Sequence, residues 1–505
     1  KYDSYELKEA ENRERRKRER EQLSRKERRS AKKEDKHLEK KKRARNKEFA
    51  RVTYIFVALF IAMMGYISYF NVVKSRDIIS SPYNKRQDSY ADRVIRGKIL
   101  DRNGNVLAQT NVAEDGTETR EYPYNNIFAH VVGYTAQGKS GLESVSNFEL
   151  LTSNAFFADK LKNEFQDKKN QGDNVVTTLD TNLQEAAYDA LGSNKGAVVV
   201  MDPSTGKILA MVSKPDFDPN TVSQNWNELS TSEDSVLLNR ATQGQYAPGS
   251  TFKLVTTLEL RENADFDSYS YNCTGSIESG DVTIHCYGGH VHGQVTLRDS
   301  LAYSCNTSFS NIGRSLNADT YKDTAQELLF NKKLPSVLPY SKSQFTLTSS
   351  DTEAERMMTA MGQGKTQVSP YHMALITSAI ANGGTLMKPY LVDSVTNNAG
   401  NVIEKTKPEK YKDLMTSKEA AQLKDYMTAV TDYGTASVLG GQNYTAAGKT
   451  GTAEYSSDKE KDHSWFVGIA NVDNPELVIS VIIEQADGSA KAVNIAKKVF
   501  DAYYQ

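Results

Sequence analysis

The longest apolar stretch of the chain covers residues 52–73, which carry no formal charge. As an α-helix these residues would be about 33 Å long, enough to cross the hydrocarbon core of a bilayer. The stretch lies behind 51 residues, unlike the apolar region of a cleaved signal peptide. Tyr54, Tyr66 and Tyr69 lie toward its ends, where aromatic side chains anchor a helix at the membrane interface. The pattern predicts a single transmembrane helix, with a buried core helix as the alternative.

After this stretch the apolar positions become shorter and more scattered. Residues 74–90 are polar and irregular, which predicts a juxtamembrane stalk. Residues 91–185 mix short strand patterns with turn signals. Apolar residues alternate on both sides of Asn103-Gly104, which predicts a β-hairpin. Residues 150–171 are polar, and their pattern favours a helix.

From about residue 174 the chain gains longer apolar runs. Runs rich in β-formers cover residues 175–179 and 196–200 and enclose a helical pattern at 181–192. Residues 464–470 and 477–484 look like paired antiparallel strands, followed by a closing helix at 491–504. Strands at both ends of a region with helices between them predict one α+β domain, which we assign to residues 186–505.

Charge divides the chain at the apolar stretch. Residues 1–51 contain 22 of the 63 Lys and Arg residues and 12 of the 64 Asp and Glu residues, a net charge of +10 that leaves −11 for the remainder. A basic tail beside a transmembrane helix is expected in the cytoplasm near anionic lipid, with everything after the helix facing outward. The acidic body argues against nucleic-acid binding.

The first motif with catalytic chemistry is a serine followed three residues later by a lysine. This spacing occurs four times, at Ser30, Ser204, Ser250 and Ser456. Only the Ser250 copy, which pairs with Lys253, opens an amphipathic helix after a Pro-Gly turn. On a helix both side chains share one face, so a nucleophile and its base would lie together. A simple helix cap remains the alternative for Ser250 alone.

Two further motifs follow in order. Ser304-Cys305-Asn306 precedes a helical pattern, and Lys449-Thr450-Gly451-Thr452 lies in a run of small residues. Serine-x-asparagine is weak alone, because it recurs and could be a helix start, whereas the four-residue lysine motif occurs once, with a looser copy at Lys139-Ser140-Gly141. Together with Ser250 and Lys253, the three motifs stand in the order used by penicillin-recognising enzymes.

The chain from the apolar stretch onward resembles the class B penicillin-binding proteins, which are monofunctional peptidoglycan D,D-transpeptidases. The similar segments are Arg96-Gly97 through Gly104, Arg120-Glu121-Tyr122-Pro123, Val132-Gly133-Tyr134, Gly141-Leu142-Glu143, Arg240-Ala241, Tyr246 through Lys253, Met361-Gly362-Gln363-Gly364, Ser369-Pro370, Met373-Ala374 and Trp465-Phe466-Val467-Gly468. The resemblance implies an elongated β-rich pedestal at 91–185 and a transpeptidase domain at 186–505, with an antiparallel sheet flanked by helices as in serine β-lactamases.

The resemblance also implies roles for the first two motifs. Ser250 would attack the carbonyl of the penultimate D-Ala and form an acyl-enzyme with release of terminal D-Ala. Lys253 would be its base, which requires a pKa well below the ordinary value of about 10.4. Burial and a second cation, Lys449, are expected to lower it. Ser304 would relay protons to the leaving amine, and Asn306 would hold the substrate amide.

The third motif is expected to bind the substrate. Lys449 and Thr450 would contact the terminal carboxylate, and Gly451 would let the peptide lie along the strand edge. The backbone N–H groups of Ser250 and Thr452 would form the oxyanion hole.

Three cysteines occur, too few for a disulfide scaffold. Cys273, Cys286, His290 and His292 lie close together in the sequence and are weaker candidates for a zinc site. A disulfide between Cys273 and Cys286, or free thiols, is the preferred interpretation, and Cys305 is expected only to pack. We therefore expect no metal and no cofactor.

The sequence thus predicts a bacterial membrane enzyme that cross-links peptidoglycan stem peptides and is acylated by β-lactams. Residues 74–95 leave no room for a glycosyltransferase domain, so glycan polymerisation would fall to a partner membrane glycosyltransferase. The alternatives are a D,D-carboxypeptidase, a β-lactamase relative and a β-lactam-binding sensor.

Overall fold

The computed structural model describes residues 3–22, 24–70, 93–263, 268–453, 462–486 and 491–505. The chain forms two compact units, Lys1–Ile79 and Ser80–Gln505. The first unit contains helices α1 (Asp3–Glu21) and α2 (Arg25–Tyr69). The apolar half of α2 is long enough to cross a membrane, with a mean hydropathy of 1.8. Residues 71–73 of the predicted span and the predicted stalk at 74–90 lie outside the described residues.

The second unit begins with a small β-rich part. Its strands are β1 (Val94–Ile95), β2 (Ile99–Leu100), β3 (Val106–Val112), β4 (Glu118–Glu121), β5 (Asn170–Gln171) and β6 (Asn174–Thr177). Its helices are α3 (Ala129–Val132), α4 (Gly141–Val145), α5 (Asn147–Leu150) and α6 (Phe157–Phe165). Strands β2 and β3 pair antiparallel, which confirms the predicted hairpin. The helix expected at 150–171 covers only Phe157–Phe165, and Asn170–Gln171 at its expected C-terminal end pairs with Val94–Ile95 as a strand.

The larger part of this unit mixes helices and strands. Its helices are α7 (Thr181–Leu191), α8 (Val222–Thr231), α9 (Lys253–Asn263), α10 (Leu297–Ala302), α11 (Asn306–Ser315), α12 (Ala318–Glu327), α13 (Glu353–Ala360), α14 (Pro370–Ala381), α15 (Ser417–Asp432) and α16 (Ala492–Tyr504). Its strands are β7 (Gly196–Met201), β8 (Ile208–Lys214), β9 (Ser270–Cys273), β10 (Ser276–Ser279), β11 (Val282–His285), β12 (Gly293–Thr296), β13 (Thr385–Met387), β14 (Val392–Thr396), β15 (Val402–Lys405), β16 (Lys410–Asp413), β17 (Ala446–Ala453), β18 (His463–Ala470) and β19 (Leu477–Ile483).

The central sheet of this part has five strands in the order β17-β18-β19-β7-β8, all antiparallel. Strands β7 and β19 are buried along their whole length, as expected for strands covered on both faces. Helices α7 and α16 pack on each other and on the sheet, and all twelve residues of α14 are buried against it. The predicted β18–β19 pair, the helix at 181–192 and the closing helix are confirmed, and so is the mixed α and β class.

A second sheet has six strands in the order β15-β14-β6-β2-β3-β4. Strands β14 and β15 belong to the same sheet as the pedestal strands, although more than 200 residues separate β14 from its neighbour β6. Val395 lies opposite Val175. This pairing was not predicted from the sequence. Residues 392–405 therefore belong to the same sheet as the pedestal strands, within the range that we assigned to the transpeptidase domain.

Candidate active site

The Ser250 motif lies where a tight turn enters helix α9. Residues Gly249–Phe252 form a 3₁₀ turn, and Lys253 is the first residue of the α-helix. Gly249 has a φ of +53°, and a Cβ at this position would lie 2.5 Å from the carbonyl oxygen of Thr452. Only glycine therefore allows the turn to approach strand β17 so closely. This approach places Ser250, which is partly exposed, beside the third motif.

The Lys253 side chain is fully buried beneath the second motif. Its Nζ donates to Asn306 Oδ1 at 2.7 Å and to the carbonyl oxygen of Ser304 at 2.8 Å, and it lies 3.3 Å from Ser304 Oγ. Burial lowers the pKa of Lys253 to about 7, although the nearby thiols of Cys305 and Cys286 act in the opposite direction. A substantial fraction of this amine is therefore neutral near pH 7 and able to accept a proton.

Ser304 lies between the two lysines. Lys449 Nζ donates to Ser304 Oγ at 2.8 Å and to the carbonyl oxygen of Thr450 at 2.9 Å. Ser304 has a φ of +56°, a left-handed conformation that is uncommon for a residue with a Cβ and that recurs at functional sites. This conformation lets its carbonyl and its hydroxyl face two different ammonium groups.

Lys449 is also fully buried. Burial and, after it, the charge of Lys253 lower the pKa of Lys449 well below the ordinary value. The like-charge effect expected from the sequence thus acts on Lys449, whereas burial is what lowers the pKa of Lys253.

The third motif runs along β17, an edge strand of the five-stranded sheet. Thr450 Oγ1 forms a 2.6 Å hydrogen bond with Thr435 Oγ1. A Cβ on Gly451 would lie 3.1 Å from Thr251 Cγ2 and 3.1 Å from Trp465 Cβ. Glycine at this position therefore lets Thr251 and Trp465 pack closely against the strand. The unpaired backbone groups of an edge strand can hydrogen-bond an extended peptide.

A cavity of about 450 Å³ joins these residues. Its walls include Ser250, Ser304, Asn306, Thr450, Gly451 and Thr452, so the structure brings all three sequence motifs to one space. The cavity is also lined by Thr435, Tyr287 and Tyr303, which were not predicted from the sequence. Tyr303 directly precedes the second motif, and that adjacency was the one local signal available for any of them.

The two other serine-lysine spacings that lie within the described residues do not line this cavity. Ser30 lies in the exposed helix α2, and Ser204 lies in the β7–β8 turn, where its Oγ donates to Asp202 at 2.7 Å. Ser456 lies outside the described residues.

The cysteine side chains agree with one of the two preferred interpretations, free thiols. All three cysteines are free and buried. Cys305, which the sequence analysis took for a packing residue, lies with Cys273, Cys286 and His292 in one group. The expected candidate His290 is outside that group and lines the cavity instead.

Two family models match the chain. Residues 196–503 match the Penicillin binding protein transpeptidase domain, and residues 96–175 match the Penicillin binding protein A dimerisation domain. Among curated proteins, the chain is similar to the peptidoglycan D,D-transpeptidase PbpA of Mycolicibacterium smegmatis, with 31% identity covering 90% of this chain and 99% of that protein. The PbpA of Mycobacterium tuberculosis is 30% identical over 91% of this chain and 99% of its own.

Solved structures give the same picture. Penicillin-binding protein A of M. tuberculosis in a ceftriaxone acyl-enzyme complex has a TM-score of 0.75 and 30% identity, covering 83% of this chain and 100% of that one. The D,D-transpeptidase domain of a peptidoglycan glycosyltransferase from Eggerthella lenta has a TM-score of 0.73 and 32% identity, covering 81% and 98%.

Proposed function

The chain belongs to the class B penicillin-binding proteins, and on this premise we propose that Ser250 is the nucleophile of a peptidoglycan D,D-transpeptidase. The observation that carries the proposal is the buried amine of Lys253, which reaches Asn306 and Ser304 below a cavity lined by Ser250. A lysine whose pKa is lowered to about 7 can act as a general base at neutral pH. Its position three residues after Ser250 supports that assignment.

The first half-reaction forms an ester. Ser250 Oγ attacks the carbonyl carbon of the penultimate D-Ala while its proton passes to the neutral amine of Lys253. The peptide C–N bond then breaks, and the leaving D-Ala nitrogen takes a proton through Ser304, whose hydroxyl lies within reach of Lys253 and Lys449. In the second half-reaction an acceptor amine attacks the ester, which releases Ser250 and forms the cross-link.

The third motif positions the substrate in this proposal. Lys449 and Thr450 bind the terminal carboxylate of the donor, and Asn306 contacts its amide. The N–H groups of Ser250 and Thr452 stabilise the oxyanion. The edge position of β17 supports this arrangement, because an extended peptide can add to an exposed strand. β-Lactams acylate Ser250 by the same attack.

We also propose the membrane arrangement and the domain boundaries. The basic residues 1–51 lie in the cytoplasm, and the catalytic part lies on the outer face, where peptidoglycan is built. The pedestal spans 91–185 and the transpeptidase domain 186–505, and the two family matches fall inside these ranges. Polymerisation of glycan strands is the task of a partner membrane glycosyltransferase.

Labelling with a fluorescent penicillin tests the nucleophile. We expect Ser250→Ala to abolish covalent labelling of the full-length protein in detergent. Ser204→Ala, which alters another serine-lysine spacing on the β7–β8 turn, should label like the parent. Equal labelling of Ser250→Ala and the parent would discard the proposal. Incubation with a donor peptide and an amine acceptor then separates cross-linking from simple release of D-Ala.

A further inference from the structure

Helix α6 of the pedestal carries an apolar face that points away from the protein. None of the residues of this helix is buried. Phe157, Leu161 and Phe165 follow one another at four-residue spacing, which places them on one face of the helix. Phe157 is 80% exposed, Leu161 41% and Phe165 84%. Phe156, just before the helix, is 57% exposed and extends the apolar surface.

The side of α6 that faces the rest of the pedestal is polar. Lys160 and Asn163 are the two partly buried residues of this helix, and its other residues are exposed. Asn163 Nδ2 donates to Asn170 Oδ1 at 3.1 Å. A surface helix ordinarily packs its apolar stripe onto the core, so α6 has the reverse orientation.

Polar contacts hold the helix in this orientation from both ends. Before the helix, the backbone N–H of Asn154 donates to Asp173 Oδ1 at 2.9 Å, and the backbone N–H of Asp173 donates to the carbonyl oxygen of Thr152 at 2.7 Å. Toward its C-terminal end, the contact between Asn163 and Asn170 joins it to strand β5. The exposure of the apolar face therefore follows from contacts of the fold.

The C-terminal end of α6 lies where the chain enters the pedestal from the predicted transmembrane helix. Residues 74–93 connect that helix to strand β1. Strand β5, which follows α6, pairs parallel with β1, with Asn170 opposite Val94. The backbone N–H of Asn170 also donates to the carbonyl oxygen of Arg93 at 3.4 Å. Since parallel strands begin at the same end of their sheet, the end of α6 and the entry of the chain lie side by side.

We propose that α6 docks on the surface of the phospholipid bilayer, with Phe157, Leu161 and Phe165 among the acyl chains at the headgroup boundary. Amphipathic helices of this kind lie in the plane of the interface, with the apolar face about 5–10 Å deep. The inference rests on the proposed membrane arrangement. It gives the pedestal a second attachment to the membrane besides the transmembrane helix.

The flanks of the apolar face suit phospholipid headgroups. At about 100° per residue, Lys160 and Lys162 lie on opposite sides of Leu161. A lysine stem can lie along acyl chains while its ammonium group reaches the headgroup phosphates. Glu164 lies one turn after Lys160, so that flank stays polar. The lysines complement phosphate, and the predicted transmembrane helix keeps this end of the pedestal near the bilayer, so lipid is the occupant that we propose.

Quenching by brominated lipid tests the contact in the full-length protein, with one chain in each nanodisc of phosphatidylcholine and phosphatidylglycerol. Phe165→Trp adds a fluorophore to the apolar face, and the parent, with Trp226 and Trp465, supplies the background. Bromine on the acyl chains should lower the added emission at least about twofold and shift it to shorter wavelength, because the side chain would lie below the headgroups. Tyr287→Trp is the matched control. Tyr287 is 75% exposed at the active-site cavity, and its replacement should be neither quenched nor shifted.

The lysine flanks are tested in the same protein. Lys160→Glu together with Lys162→Glu should weaken the quenching of Phe165→Trp, because the new carboxylates repel headgroup phosphates. Equal emission of Phe165→Trp in brominated and unbrominated nanodiscs would overturn the proposal. A shift to shorter wavelength without quenching would also overturn it, since protein would then cover this face. Incorporation into nanodiscs reports on the predicted transmembrane helix, and penicillin labelling reports on Ser250, so failure of either assignment is distinguishable from failure of the docking.

Discussion

Two groups of buried basic side chains in this chain differ in their partners. Those in the pedestal face a carboxylate, and those in the active site face neutral groups. In the pedestal, Arg96 Nε lies 2.6 Å from Glu143 Oε2 and Arg120 Nε lies 2.7 Å from Glu143 Oε1. Burial acts to raise the pKa of Glu143, but the two guanidinium groups outweigh it and hold that pKa below its ordinary value. In the active site, Lys253 and Lys449 share the neutral Ser304, and among the described residues neither forms an ion pair with a carboxylate.

The difference separates a structural charge cluster from a reactive one. A buried cation beside a carboxylate keeps its proton and fixes geometry, as at Glu143. A buried lysine without one gives up its proton more readily, and the pKa of Lys253 falls to about 7. Both groups of basic side chains are buried. The presence or absence of a carboxylate partner decides whether a basic side chain can take part in proton transfer near neutral pH.

The strongest test replaces the reactive cation with one that cannot lose its proton. Lys253→Arg keeps the positive charge, but a guanidinium is never a base in proteins. We expect acylation by penicillin to slow about 10³-fold, the usual contribution of a general base. Stopped-flow fluorescence with a fluorescent penicillin measures it, and Lys332→Arg at an exposed lysine is the control. Acylation within a few-fold of the parent would remove Lys253 from the role of base.

The reciprocal test removes the carboxylate charge from the buried cluster of the pedestal. Glu143→Gln leaves Arg96 and Arg120 buried without a countercharge, which should cost about 3–5 kcal/mol of local stability. Hydrogen exchange of the pedestal amides measures the loss. Glu118→Gln breaks the more exposed pair with Lys169 in the same region and should cost less than about 1 kcal/mol. Equal effects of the two changes would mean that burial does not distinguish these carboxylates.

The active-site lysines were predictable from the sequence because each belongs to a short motif whose spacing carries the chemistry. Ser250 and Lys253 share one turn and the start of one helix, so their proximity follows from local geometry alone. The predicted paired strands β18 and β19 also lie close together in the sequence. Local pattern was sufficient wherever the partners are separated by one turn or one loop.

Contacts between distant segments were not predictable in the same way. The pairing of β14 with β6 joins residues more than 200 positions apart. The alternation of apolar and polar residues along either strand does not identify the strand with which it pairs. Cys305 looked like a packing residue because its neighbours Cys273 and Cys286 arrive from another segment. Thr435 contacts Thr450 through a turn that carries no distinctive residue pattern. In each case tertiary packing selects among many equivalent local options.

The pH dependence of acylation tests the lowered pKa directly. The neutral amine of Lys253 is the active form, and its fraction rises with pH until the pKa, about 7, is passed. Acylation should therefore increase about tenfold per pH unit below pH 7 and level off above it. From pH 5 to pH 7 we expect about a fiftyfold rise in the second-order rate constant, measured with a fluorescent penicillin, because half of the amine is neutral at its pKa. A flat profile over that range would show that no group with this pKa limits acylation.

A single amide-to-acid change would make the active site resemble the pedestal. Asn306 Oδ1 accepts from Lys253 Nζ at 2.7 Å, so Asn306→Asp would place a carboxylate against the buried ammonium at nearly constant volume. An opposite charge at this distance raises the pKa of a lysine by about 1–3 units.

We therefore expect the acid limb of the acylation profile to move to higher pH by at least about one unit, which lowers the rate at pH 7 by about fivefold or more and restores it in alkaline buffer. The matched control is Asn311→Asp, five positions further along α11. A uniform loss at every pH would instead indicate that the variant disturbs the contact between Asn306 and His285. Only the displaced profile would establish that Lys253 is reactive because it has no carboxylate beside it. In that outcome alone, activity returns when alkaline buffer removes the proton that the added carboxylate holds on Lys253.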